Sequence, residues 1–122
     1  MTQFLVSRNN SAPKYIAPEI LKKEKYKKPA DIFAFAITMY EIIGWCDAFP
    51  KEEFKYSWDI AEFVVNGKRP EKPSELSNSQ FDIIQQSWYE KANQRLQIEH
   101  IISLLESELM IVNISSFVDS FD

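Results

Sequence analysis

Residues 29–44 carry the sequence feature that most constrains the fold, a long run of apolar side chains at helical spacing. Between Ile32 and Ile43, large apolar residues and alanines fall on nearly every side of the projected helix. A helix that is apolar all round is normally buried on all sides, so this helix is predicted to form the centre of the molecule. Pro29 suits its first turn, where a missing N–H costs nothing. Gly44 is expected to end it.

The remaining segments are also predicted to be helical, which makes the expected fold class all-α. Ser57 is a candidate N-cap for a helix whose apolar side chains share one face, and Gly67 is expected to terminate that helix. Proline-containing connectors separate the elements, because proline interrupts a helix. The predicted helices, besides the central one, are Tyr15 to about Lys22, Ser57 to Gly67, Ser79 to Tyr89, and Gln97 to Met110.

Charge and composition exclude several classes of function. The net charge is −4, so the chain has no bulk electrostatic attraction to nucleic acid, and a nucleic-acid partner is not predicted. No apolar run reaches the length of a membrane span. The single cysteine, Cys46, cannot form an internal disulfide. A reducing, cytoplasmic setting is therefore expected.

Several short motifs occur in an order that resembles the C-terminal lobe of a protein kinase domain. The resemblance covers roughly residues 11 to 107. It is closest to the tyrosine kinase and tyrosine-kinase-like groups, and it divides the chain into a lead-in (1–12), a partial C-lobe (13–110) and a tail (111–122). The positions that carry it are the substrate-turn-like Ala12 and Pro13, the Ala17-Pro18-Glu19 motif, Asp31 at the start of the central helix, Gly67 to Pro73, Trp88 and Arg95.

This resemblance implies an ion pair between Glu19 and Arg95, which lie 76 positions apart (95 − 19). In the family, this pair fastens the activation segment to the helical core. Removing one partner of such a buried pair would cost about 3–5 kcal/mol, because the other charge stays desolvated. Asp31 has two open roles. It either accepts hydrogen bonds from a catalytic loop, as in kinases, or stabilises the positive end of the helix.

The elements that phosphoryl transfer requires on this fold are absent from the 122 residues. The chain has two glycines, Gly44 and Gly67, which cannot make a loop of the G-x-G-x-x-G kind. The single histidine, His100, is followed by Ile101 and cannot begin a His-Arg-Asp catalytic loop. No catalytic, cofactor-binding or metal-binding residue is predicted, and ATP and Mg²⁺ are expected only if a missing lobe completes the domain.

Two functions remain open from the sequence. The first is a catalytically incompetent, truncated kinase-like domain, acting as a pseudokinase or interaction module. The second is a fragment of an active serine/threonine or tyrosine kinase whose catalytic half is missing from these residues. In either case, a protein partner or the missing kinase segment is expected to cover part of the helix at residues 32–43, because an exposed apolar patch of that size normally marks a binding surface.

Overall fold

The computed structural model describes residues 12–25 and 27–107, with side chains described from residue 14 onward. All regular elements in these residues are helical, as predicted. Residues 1–11 of the lead-in predicted at 1–12, residues 108–110 at the end of the predicted last helix, and the tail at residues 111–122 lie outside the described residues. The helices are α1 (Pro18–Leu21), α2 (Pro29–Gly44), α3 (Ser57–Val65), α4 (Asn78–Ser87) and α5 (residues 98–107), with 3-10 turns at Ala12–Tyr15 and Ala92–Gln94.

The central helix α2 begins at Pro29 as predicted, but its end differs from the prediction. Gly44 belongs to the helix, and Trp45 takes the left-handed conformation, with φ = 54°. A side chain at position 44 would bring its Cβ within 3.0 Å of Pro73 Cγ. The glycine is therefore required by close packing, and the strained turn falls on the next residue, at about 1–2 kcal/mol for a residue other than glycine.

The predicted helix from Tyr15 to about Lys22 is divided into two short elements. Pro18 occupies the first position of α1, where it has no N–H to lose and its ring fixes a helical φ. Tyr15 belongs to the preceding 3-10 turn. Proline thus starts a helix here, whereas the prediction placed it inside one.

α3 starts with a different cap from the one predicted. Tyr56 is the N-cap residue and Ser57 is the first helical residue. The backbone N–H of Tyr56 donates to Asp59 Oδ2 at 3.0 Å, so a carboxylate in the first turn satisfies an amide that the helix leaves unpaired. Gly67 follows the helix with φ = 83°, a conformation that glycine adopts without strain.

α4 begins with a reciprocal cap and ends in a contact with α2. Ser77 Oγ accepts from the Gln80 amide at 3.1 Å, and Gln80 Oε1 accepts from the Ser77 amide at 2.9 Å. Trp88 follows the helix, and its ring lies 5.7 Å from that of Tyr40 on α2. This contact joins the end of α4 to the middle of α2.

The core is built around one side of α2. Its fully buried residues come from every part of the described chain: Phe33, Ala36, Ile37, Val64, Leu76, Ile84 and Ile101. The described residues do not cover every side of α2: Ile42 is 67% exposed, and Trp45, just after the helix, is 85% exposed. In α5 the side chain of Ile101 is fully buried, whereas Ile98 is 42% exposed and Ile102 is 48% exposed. The described chain therefore covers only part of its central helix.

Candidate functional site

The site begins with a carboxylate and a guanidinium that meet across the fold. Glu19 lies in α1, just after the N-terminal proline, and Arg95 follows the 3-10 turn at Ala92–Gln94. Arg95 Nη2 donates to Glu19 Oε1 at 2.7 Å, and Nη1 donates to Oε2 at 2.8 Å. Two parallel bonds fix both the distance and the orientation of the pair. The structure thus brings together the two residues that the sequence motif pairs.

Arg95 also binds the backbone of two neighbouring segments. Its Nε donates to Tyr89 O at 2.8 Å, and Nη1 donates to Pro29 O at 2.9 Å. Its side chain is fully buried, whereas that of Glu19 is 15% exposed. A single guanidinium therefore fastens α1, the start of α2 and the loop after α4 to one another. We call Glu19, Arg95 and these backbone acceptors the tether.

The environment of Glu19 favours the charged carboxylate. Burial alone raises the pKa of a carboxyl group, but here the hydrogen bonds from Arg95 and a backbone amide, together with the positive charge of Arg95, outweigh it. The pKa of Glu19 consequently lies below its ordinary value of 4.5. The tether is thus ionised at neutral pH.

A second guanidinium, that of the half-buried Arg69, lies beside the tether, and the sequence did not indicate a role for it. The Cζ atoms of Arg69 and Arg95 lie 5.1 and 5.2 Å from the ring centroid of Phe33. Arg69 Nε donates to Trp88 O at 2.9 Å, and Nη1 donates to Val64 O at 3.1 Å. Burial and the charge of Arg95 lower the pKa of Arg69 to about 10, so it remains a cation at pH 7. Arg69 joins the ends of α3 and α4.

Glu41 forms another polar centre, at the opposite end of α2, that the sequence analysis also missed. Its carboxylate accepts from Tyr15 Oη at 2.8 Å, from Lys14 Nζ at 3.1 Å and from the Ala48 amide at 3.0 Å. The side chain is only 15% exposed. Glu41 therefore holds the 3-10 turn and the loop after α2 against the central helix. In the sequence, the Lys14-Tyr15 pair beside the Ala-Pro-Glu motif was the available hint of a polar contact here, but it did not identify Glu41 as the partner.

The other residues singled out from the sequence are placed as follows. Ala17 and Pro18 are buried beside the tether, and Trp88 is buried in the core. Asp31 is exposed, and its carboxylate makes no hydrogen bond or ion pair with any described residue. The backbone of Ala12 and Pro13 forms the first 3-10 turn, and their side chains lie outside the described part. The tether is thus the part of the motif that the structure assembles.

Comparison with known proteins identifies the family to which this chain, with its tether, belongs. The family model for protein tyrosine and serine/threonine kinases matches residues 5–105. The chain belongs to the protein kinase family. The kinase match extends from the residues before the first 3-10 turn into α5, so it includes both Glu19 and Arg95.

Individual relatives of this kinase-family chain are much longer proteins. A protein of Acanthamoeba polyphaga mimivirus, described as a serine/threonine-protein kinase/receptor, is 35% identical over 98 residues, which cover 80% of this chain and 6% of the viral protein. The RGS domain-containing serine/threonine-protein kinase A of Dictyostelium discoideum is 30% identical over 93 residues, or 76% of this chain and 8% of that protein. The chain therefore corresponds to a small part of these relatives.

Three further features of the described residues concern metal binding, the reactivity of the cysteine and membrane insertion. No group of three or more histidine, cysteine, aspartate or glutamate side chains in these residues is placed to hold a metal ion. Burial raises the pKa of the Cys46 thiol, which disfavours the reactive thiolate. None of the described helices has both the length and the apolar character that a membrane crossing requires.

Proposed function

We propose that these residues form the C-lobe portion of a protein kinase domain and are catalytically incompetent by themselves. The single observation that carries the C-lobe assignment is the bidentate pair of Glu19 and Arg95, which joins the Ala-Pro-Glu motif to the core. The incompetence is inferred from the sequence, whose two glycines cannot form a glycine-rich loop. The tyrosine-kinase-like pattern of Gly67 to Pro73, with Trp88 seven positions before Arg95, supports the finer assignment to the tyrosine kinase and tyrosine-kinase-like groups.

In this proposal, the exposed side of α2 is the surface through which the chain binds another protein segment. Asp31, Phe35, Thr38 and Ile42 recur at intervals of three or four residues and therefore lie along one side of the helix. Trp45 follows directly after the end of the helix, three positions beyond Ile42. Ile42 and Trp45 are strongly exposed, Phe35 and Thr38 are half-buried, and Asp31 is exposed. We call these five residues the open stripe. Its partner is the segment of a kinase domain that carries the catalytic loop, or a protein that takes its place.

The second candidate, a part of an active serine/threonine kinase, is supported by the relatives. The two described above are named as serine/threonine kinases, and this chain corresponds to 6% and 8% of their lengths. In that case ATP and Mg²⁺ would be held by residues outside this chain, and we derive no catalytic step from the residues present.

Co-expression separates the two candidates. The chain would be produced with the upstream part of a kinase domain from the mimivirus relative, ending after its metal-binding motif, and the complex would be isolated by affinity purification. Complex formation without ATP-dependent phosphorylation of a generic substrate supports the docking module. Complex formation with phosphorylation supports the active-kinase fragment.

The test variant for this experiment is Ile42→Asp, and its control is Gln85→Asp, both changes at exposed helical positions. The first places a charge on the open stripe, and the second places the same charge on α4, outside that stripe. Loss of the complex in Ile42→Asp alone locates the docking surface on α2. If the two chains fail to associate, or if both variants behave like the original, docking through the open stripe is refuted.

A further inference from the structure

Two aromatic side chains at the start of α3 form an exposed stacked pair. The rings of Tyr56 and Trp58 are nearly parallel, at 5°, with centroids 4.5 Å apart. Tyr56 is 55% exposed and Trp58 is 60% exposed. The other ring contacts between described residues are tilted or edge-on, at 42° to 85°. We call Tyr56 and Trp58 the aromatic pair.

The aromatic pair is held in place by the first turn of α3. The Tyr56 amide donates to Asp59 Oδ2 at 3.0 Å, and the Asp59 amide donates to Tyr56 O at 3.0 Å. These two bonds fix the backbone on both sides of Trp58. Because the stacked rings are already ordered, a ligand that binds them pays little additional entropy of ordering.

The electrostatic surroundings of the aromatic pair favour a cation. Residues 51–62 contain four carboxylates and two lysines. Glu62 follows Trp58 by one helical turn and therefore lies on the same face of α3. The faces of aromatic rings also attract cations. The chain's own cation–π contacts among described residues are at Tyr15 and Phe33, and none is at the aromatic pair.

We propose that the aromatic pair and Glu62 form a docking site for an arginine-containing peptide segment of a partner protein. A guanidinium is planar and weakly hydrated, so it can stack on an indole while it donates to a nearby carboxylate, whereas an ammonium group cannot stack. The site lies at the start of α3, on a different helix from the open stripe. It does not depend on whether the chain docks a catalytic segment.

Fluorescence anisotropy with short labelled peptides tests this site on the full 122-residue chain. Three peptides of equal length would carry arginine, lysine or glutamate at the same spaced positions in a glycine-serine background. The arginine peptide is expected to bind most tightly, and the glutamate peptide is expected not to bind. Trp58→Ala should weaken arginine-peptide binding about tenfold, as expected for a lost cation–π contact in a partly desolvated site.

Conservative variants separate a binding role from a structural one. Trp58→Phe keeps an aromatic ring and should retain most of the affinity, while Glu62→Gln should weaken binding about threefold, as expected for an exposed charge. Tyr89→Ala removes another exposed ring, in the loop after α4, and should leave binding unchanged. If Trp58→Ala does not fold, the Phe and Gln variants still carry the test.

Three results would overturn the proposal. Equal binding by the original chain and both Trp58 variants would mean that general attraction to an acidic protein accounts for the affinity. Equal losses in Trp58→Ala and Tyr89→Ala would show that the site is not at the aromatic pair. Dimerisation that depends on Trp58, measured by sedimentation without peptide, would make a second copy of the chain the occupant.

Discussion

Arg95 is a buried cation whose hydrogen-bonding capacity is fully used. A guanidinium has five N–H donors, and Arg95 makes five hydrogen bonds, to Glu19, Pro29, Tyr89 and Glu90. Such saturation offsets the desolvation of the charge, which would otherwise be expensive in a buried site. The residue therefore contributes through its geometry as much as through its charge.

Arg95→Ala is expected to destabilise the chain by about 3–5 kcal/mol, because it leaves the Glu19 carboxylate without its buried partner. Arg95→Lys should lose less, since an ammonium keeps the charge but cannot form the two parallel bonds. Urea unfolding followed by circular dichroism measures both effects. Lys91→Ala, a change at an exposed position in the same loop, is the control. If Arg95→Ala lowers the unfolding free energy no more than this control does, the role of the tether is contradicted.

The lowered pKa of Glu19 gives the tether a defined dependence on pH. A carboxyl whose pKa is lower in the folded state than in the unfolded state stabilises the fold at pH values above the unfolded-state pKa. This contribution is lost as the pH falls through the folded-state pKa. The loss should therefore begin near pH 4.5, the ordinary value, and continue at lower pH. Unfolding free energies measured against pH for the original chain and for Glu19→Gln should differ most at neutral pH and converge in acid. A difference that stays constant down to pH 2 would exclude this linkage.

At the scale of elements, α2 is fastened by polar contacts at both ends. Arg95 binds the Pro29 carbonyl at its start, and Glu41, near its end, binds the first 3-10 turn and the loop that follows. Apolar packing between helices tolerates small shifts, whereas these hydrogen bonds fix the helix along its axis. The 3-10 turn at Ala12–Tyr15 thus takes its position from α2.

Glu41→Ala should cost about 1–3 kcal/mol, because Tyr15 Oη and the Ala48 amide each lose an acceptor in a partly buried site. The amide of Ala48 should also exchange its hydrogen faster, which hydrogen-exchange mass spectrometry can detect in the loop after α2. Glu62→Ala, at an exposed helical position, is the matched change and should leave exchange in that loop unaltered. Unchanged exchange in Glu41→Ala would show that the loop is held by other contacts.

At the scale of the whole molecule, the burial of α2 is strongly asymmetric. Ile37 is completely buried, while Ile42, five positions later on the same helix, is 67% exposed. An isolated apolar side chain on a surface is ordinary, but here Ile42 belongs to the open stripe, with Phe35 and Trp45. This asymmetry is what the proposed docking of a catalytic segment would remove.

Ile37→Ala and Ile42→Ala make the same chemical change on opposite sides of one helix. The first should cost about 2–5 kcal/mol, because it leaves a cavity in the core, and the second should stay within about 0.5 kcal/mol. Denaturant unfolding of the isolated chain measures both. Similar losses in the two variants would mean that the open stripe is covered in solution, for example by a second copy.

The sequence was sufficient for features that depend on near neighbours. The apolar periodicity of residues 29–44 predicted a central helix, Pro29 gave its start, and Gly67 gave the end of α3. The contact between Glu19 and Arg95 came from the resemblance to kinases, because nothing local to either residue indicates a partner 76 positions away. The N-cap of α3 was predicted less well. Ser57 and Tyr56 are neighbouring candidates for the N-cap position, and the hydrogen bond to the carboxylate of Asp59 favours Tyr56.

By itself, the sequence determined that this chain is helical, that one helix is central and that kinase catalytic motifs are absent from its residues. The tertiary structure alone decided which side of α2 is covered, why position 44 needs glycine, and that Glu41 and Arg69 bind segments distant in the chain. The physical reason is that helix periodicity and capping act over a few residues, whereas burial and long-range hydrogen bonds depend on how whole elements pack. The most informative side chains of this molecule therefore acquire their roles only when the helices are assembled.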